Sequence, residues 1–147
     1  MTQFPEPPIH ILIIEDNPGD VDLLREGLAE STVQNTISVV NDGEEAMSYL
    51  RHEVGFELSA RPDIILLDLN LPRKNGREVL EEIKADAVLC SIPVVVLTSS
   101  AAATDVTNAY SRRANAYVTK PLGFEQFMDA VRSIESFWLS NVKLPRG

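Results

Sequence analysis

Four short runs constrain this chain most: IHILII (Ile9 to Ile14), TISVV (Thr36 to Val40), DIILL (Asp63 to Leu67) and IPVVVL (Ile92 to Leu97). Each is rich in Ile, Val and Leu with little polar alternation, the pattern of strands covered on both faces in a parallel sheet. A shorter fifth run, AYVT (Ala116 to Thr119), fits the same reading. Parallel strands need crossovers rather than hairpins, and helical patterns fill the gaps. PGDVDLLREGLAES opens with Pro18 near a first helical position and repeats Val21, Leu24 and Leu28. GEEAMSYLRHE groups Ala46, Met47 and Leu50, and GREVLEEIKAD groups Val79, Leu80 and Ile83. AATDVTNAYSRR is weaker, with Val106, Ala109 and Tyr110 as its stripe. The last helix, from about Gly123 to Asn141, shows Phe124, Phe127, Val131, Ile134 and Trp138 at helical spacing. A β-α unit repeated five times implies right-handed crossovers and an α/β fold, a doubly wound five-stranded parallel sheet with helices on both faces.

In such sheets the functional crevice lies outside the carboxyl ends of the strands, where the strand order reverses. Glu15 and Asp16 follow the first strand, and Asn41 with Asp42, read as helix caps, follow the second. Asp68 ends the third, with Asn70 and Pro72 after it; Thr98 and Ser99 follow the fourth, and Lys120 with Pro121 the fifth. Taken singly, the acids could cap helices and Lys120 could be a surface lysine. Three acids, a hydroxyl and a lysine converging on one edge point to a site. An aspartate after so apolar a strand is unfavourable unless something pairs with it. Crowded carboxylates repel by roughly 4 kcal/mol per pair at 4 Å and an effective dielectric near 20. A hard divalent cation relieves that repulsion, and Mg²⁺ suits a few carboxylates with waters and a phosphoryl oxygen. Lys120 could hold a carboxylate or a phosphoryl group. Asp68 is the natural nucleophile, able to carry a phosphoryl group as an acyl phosphate.

The 147 residues are the usual size of one domain. A net charge of −9 argues against non-specific binding to nucleic acid or an anionic membrane. Cys90 is the single cysteine, which excludes an intrachain disulfide and a Cys-based metal site and fits a reduced, cytoplasmic setting. No apolar run reaches the roughly 18 residues that span a bilayer, and MTQFPEPPIH lacks the basic start and apolar core of a signal peptide. Its prolines suggest an extended arm over residues 1–8, before a domain over 9–147 with no output domain after it.

The segments IIEDNPGD, ILLDLNLPRKNGREVL, IPVVVLTSS and AYVTKPL, in this order and spacing, resemble the response-regulator receiver domain of two-component signalling over about Ile9 to Ile134. The resemblance implies a flavodoxin-like (β/α)5 receiver fold with strand order 2-1-3-4-5. It implies a phosphorylation switch, not an enzyme beyond its own phosphorylation and dephosphorylation, with Asp68 accepting the group from a histidine-kinase phosphohistidine. By the same carry-over, Asp16, Asp68 and the backbone carbonyl of Asn70 ligate Mg²⁺, with Glu15, where Asp is commoner, acting through water. Thr98 is the switch hydroxyl, Lys120 the phosphate-binding lysine and Tyr117 the switch aromatic. Asn70 and Ser100 tune dephosphorylation, and the Lys120–Pro121 bond is expected to be cis.

A longer connection, RHEVGFELSARP, the sequence NPGDV and the late ESFWLSNVKLP are similar to small stand-alone regulators that partner bacterial phytochrome kinases. Surplus apolar residues near a terminus suggest an interface. A homodimer through the fourth helix, fifth strand and fifth helix is expected to use Tyr110, Phe137, Trp138 and Leu139. The rival is a longer helix folding back on its own domain. Two other functions stay open: a non-phosphorylated receiver-like interaction module, and a dehalogenase-type aspartyl-phosphate phosphatase. The latter usually needs a second Asp where Asn70 stands. A flavodoxin-like FMN carrier lacks its Ser/Thr/Gly-rich loop here.

Overall fold

The computed structural model describes residues 7–146, so residues 1–6 of the expected arm lie outside the described residues. The five apolar runs become strands of one sheet: β1 (Ile9–Ile14), β2 (Asn35–Val40), β3 (Ile64–Leu67), β4 (Val94–Thr98) and β5 (Ala116–Thr119). Their order is β2-β1-β3-β4-β5, all parallel, as the resemblance implied. Between them run α1 (Pro18–Ala29), α2 (Gly43–Leu50), α3 (Gly76–Ala85) and α4 (Ala103–Ser111), with α5 (Phe124–Ile134) after β5. Side chains start three of these helices. Asn17, Asp42 and Asn75 each accept a hydrogen bond from the backbone N–H three residues on, which satisfies one donor the helix itself leaves open.

The period of two along each central strand splits the core between the two faces. Leu12, Ile14, Ile65, Leu67, Val94 and Val96 face one way, against Met47 and Leu50 of α2 and Val79, Leu80 and Ile83 of α3. Ile11, Ile13, Ile64, Leu66, Val95 and Leu97 face the other, against Leu24 and Leu28 of α1 and Phe127, Val131 and Ile134 of α5. Burying each such side chain contributes about 1.5–3 kcal/mol, so the register of β1, β3 and β4 is strongly fixed. A one-residue slip would exchange the two faces of a strand.

The last helix departs from the expected continuous α-helix. From Glu135 to Asn141 the chain widens into a π-helix, in which residues five apart lie one above the other. Val142 N–H bonds Phe137 O, and the Ser140 hydroxyl donates to the Glu135 carboxylate, both at that spacing. The stripe is thereby redirected. After Ile134 the next core residue is Leu139, only 5% exposed, while Trp138 is half-buried and Phe137 is 55% exposed. Leu139 and Leu144 close the α1/α5 face of the core from below. Phe124, expected in the stripe, heads the helix and is 55% exposed. The Lys120–Pro121 bond, expected to be cis, is trans, since the described residues contain no cis peptide. Trans is the lower-energy form of an X–Pro bond by about 0.5–1 kcal/mol.

Candidate functional site

The topology builds the site. β1 is flanked by β2 on one side and by β3 on the other, all parallel, so the direction in which strands are added to the sheet reverses at β1 and leaves a crevice at the carboxyl ends of β1 and β3. Ile14 is in register with Leu67, which sets the next residues, Glu15 and Asp68, side by side. Asp68 N–H donates to Ile14 O at 3.0 Å and Glu15 N–H to Val40 O at 3.0 Å, so both carboxylates leave from hydrogen-bonded backbone. Thr98, the last residue of β4, is fully buried and pairs with Thr119, the last of β5. Lys120 follows directly, its N–H bonded to Thr98 O at 2.7 Å. Packing on both sheet faces buries β1, β3 and β4, while β5, half-exposed, is held at the edge by its pairing with β4.

Three carboxylates meet at Lys120 Nζ, with Asn70 and Thr98 beside them. The ammonium lies 2.5 Å from Glu15 Oε1, 2.8 Å from Asp68 Oδ2 and 2.8 Å from Asp20 Oδ2. The other Asp68 oxygen, Oδ1, accepts from Asn70 N–H at 3.0 Å, and Asn70 Nδ2 points to Thr98 Oγ1 at 3.5 Å. Asp16 stands exposed at the mouth. Glu15, Asp16 and Asp68 each offer a carboxylate oxygen within 4.8 Å of the others. An octahedral Mg²⁺ with bonds of about 2.1 Å sets its ligand oxygens roughly 3–4 Å apart. Only a small closure is needed, so the donor set fits a hard divalent cation. Such an ion would neutralise charge on these carboxylates and on a phosphoryl oxygen.

The electrostatics record the crowding. Burial pushes the Glu15 carboxyl up to about 7, with the negative charge of Asp68 adding to the rise and Lys120 opposing it. Asp68 behaves oppositely. Burial raises it, but hydrogen bonds from Lys120, the Asn70 N–H and Thr98 outweigh burial and leave it below the usual carboxylate range. Burial would lower Lys120, yet Asp20, Asp68 and Glu15 together raise it, and it stays charged. The charges therefore sort themselves: Asp68 is an ionised carboxylate and Lys120 its fixed cation.

A stability prediction follows from Glu15. Its folded value of about 7 lies above its ordinary 4.5, so the fold holds the proton more tightly than the unfolded chain does. The metal-free fold is favoured below the lower value and loses that part of its stability as pH rises to the upper one. Glu15→Gln mimics the protonated acid. In EDTA it should unfold at higher urea than wild type at pH 8, by about 1–3 kcal/mol, with only about a quarter of that gain at pH 5. An equal difference at both pH values would overturn the assignment.

The other sequence-predicted residues fall around this centre. The Tyr117 hydroxyl donates to Ser100 O at 2.8 Å, bridging β5 to the loop two residues after Thr98, and its N–H donates to the Tyr110 hydroxyl at 3.2 Å. The Ser100 hydroxyl is held by Asp105 of α4, whose carboxylate also takes Arg77 at 3.1 Å. Tyr110 and Phe137 are exposed and Trp138 is half-buried, whereas Leu139 is packed inside the domain's own core. The sequence reading missed Asp20 and Asp105. Both sit in first helical turns, where an acid reads as a favourable partner of the helix dipole. NPGD placed Asp20 close to the acids, but nothing in the sequence aims it at a lysine 100 positions away.

Among the described residues no helix is long and apolar enough to cross a membrane. The family of the response regulator receiver domain matches residues 11–132. Response regulator Rcp1 of Synechocystis is 45% identical over 145 residues, 99% of this chain and 99% of that protein. A crystal structure of the Mn²⁺-bound form of response regulator Rcp1 superposes with a TM-score of 0.93 at 45% identity, covering 95% of this chain and 100% of that one. The crystal structure of the phosphorylated cyanobacterial phytochrome response regulator RcpA gives a TM-score of 0.92 at 48% identity, with the same coverage.

Proposed function

The chain belongs to the response regulator receiver family, and on that premise we propose that Asp68 accepts a phosphoryl group from a histidine-kinase phosphohistidine and so switches a protein-interaction surface. One observation carries the reading: the ionised Asp68 is held between Lys120 at 2.8 Å and the Asn70 N–H at 3.0 Å, with the buried Thr98 hydroxyl alongside. In the transfer a carboxylate oxygen of Asp68 bonds phosphorus while the P–N bond to the donor imidazole breaks. Lys120 meets charge on the phosphoryl oxygens and Thr98 donates to one of them. Mg²⁺ is the cation of this reading; Asp16, Asp68 and the Asn70 carbonyl would hold it, with Glu15 acting through water, and it would neutralise charge on the phosphoryl oxygens. Asn70 and Ser100 tune the return to the free carboxylate.

The readout is carried by Tyr117. Its hydroxyl is fastened to the Ser100 carbonyl, so a shift of Thr98 toward a phosphoryl oxygen moves the segment that Tyr117 leans on. That displaces the surface of α4, β5 and α5. The partner is a sensor histidine kinase of the bacteriophytochrome kind, supported by the likeness to RcpA, and the setting is cytoplasmic. The test is incubation with Mg²⁺ and acetyl phosphate, or with beryllium fluoride as a stable phosphoryl mimic. The expected result is an Asp68-dependent gain of one phosphoryl group; an unmodified chain would overturn the proposal.

The same surface supports a homodimer. Tyr110 and Phe137 present apolar area to solvent, and the Phe137 ring packs edge-on against Trp138 at 5.3 Å, which stiffens it as a contact. Phe137→Ala should shift the chain toward monomer in analytical ultracentrifugation by roughly tenfold in dissociation constant. Unchanged self-association, or none in wild type, would remove that interface.

A further inference from the structure

Lys120 has no proton left to give. An ammonium carries three donors and no acceptor, and Glu15, Asp20 and Asp68 take all three. A phosphoryl group can engage Lys120 only by displacing one of them. Glu15 and Asp68 have side chains 3% and 7% exposed, so neither finds water easily; Asp20 is 23% exposed and does. Asp20 is also the third residue of α1, where backbone N–H groups and the helix dipole stabilise an anion that has lost its lysine. The α1 backbone is pinned by Val21, Leu24 and Leu28 in the core, so release of Lys120 needs only a side-chain rotation.

We propose that Asp20 is a brake on phosphorylation: it competes with the incoming phosphoryl group for Lys120 and sets how readily Asp68 is modified. This rests on the reading of Asp68 as acceptor. The oxygens of Asp20 and Asp68 that share Lys120 lie within about 5.6 Å of each other, the two contact distances laid end to end. Phosphorylation raises the charge at Asp68 from one to about two and extends it toward Lys120, into the field of Asp20. A tethering role for Asp20 is the weaker alternative, because Glu15 and Asp68 already fix Lys120, whose side chain is only 9% exposed.

The experiment measures initial rates of acyl phosphate formation on the full chain with Mg²⁺ and acetyl phosphate. The Asp68 O–P bond forms as the P–O bond to acetate breaks, and acetate leaves with the electron pair. Asp20→Asn and Asp20→Ala should both react roughly three- to tenfold faster than wild type and bind beryllium fluoride more tightly by a similar factor. The advantage should shrink with added KCl, because a partly exposed charge is screened, whereas a purely structural effect would not respond. Rates equal to or below wild type in both variants, a loss confined to Asp20→Ala, or a gain indifferent to salt would each overturn the brake. Should wild type itself stay unmodified, the fault lies with the acceptor assignment and not with Asp20.

Discussion

Asp68→Asn is expected to abolish phosphoryl acceptance, with at least a hundredfold loss of the mass increment produced by Mg²⁺ and acetyl phosphate. The amide keeps the shape of the carboxylate, and its oxygen can still accept from the Asn70 N–H. It has no lone pair on a charged oxygen to form an acyl phosphate, and it withdraws one of the anions that hold Lys120. Folding should survive, because the metal-free site has three carboxylates around one lysine and loses a repulsion together with the ion pair. Intact-protein mass spectrometry beside a urea titration separates chemistry from stability. A phosphoryl increment of wild-type size in Asp68→Asn would place the acceptor elsewhere.

The second large effect belongs to Gly76, at the start of α3. A Cβ at this position would meet the Asp68 carbonyl oxygen at 2.2 Å and the Leu69 Cα at 2.6 Å. Both are backbone, so neither can swing aside, and Gly76 N–H is bonded to Leu69 O at 2.9 Å, which prevents α3 from backing away. Gly76→Ala should therefore destabilise by about 3 kcal/mol or more, despite alanine's advantage of roughly 1 kcal/mol in a helix. Because the clash bears on the carbonyl of Asp68 itself, beryllium fluoride binding should fall in whatever fraction remains folded. A urea midpoint matching wild type would show that the loop after β3 yields without loss.

Much of this was legible in the residues. Ile, Val and Leu without alternation can be satisfied only by a sheet covered on both faces, and helical stripes in every gap leave few topologies. The acids after β1 and β3, the hydroxyl ending β4 and the lysine after β5 were readable because strand ends in this architecture are a shared address. Two things escaped. The stripe of the last helix was projected at α-helical spacing through Trp138, but the chain takes the wider π-helical turn and puts Leu139 in the core. Sequence periodicity assumes a constant turn, and a change of pitch has no signature in one chain. Asp20 escaped for another reason: an acid in a first helical turn is already explained by the helix, so its second use stays hidden.

By itself, then, the sequence determined the order of elements and which polar groups stand at the strand ends, because burial pattern and strand-end position are local properties of the chain. Only the tertiary structure decided how those groups share their charges. Whether Lys120 serves two carboxylates or three, which acid stays protonated near neutrality and which ionises, and which anion can let go are set by distances of 2.5–2.8 Å between residues up to 105 positions apart and by unequal access to water. Coulomb energy and desolvation depend on those distances and on that access, and neither is written along a chain until it has folded.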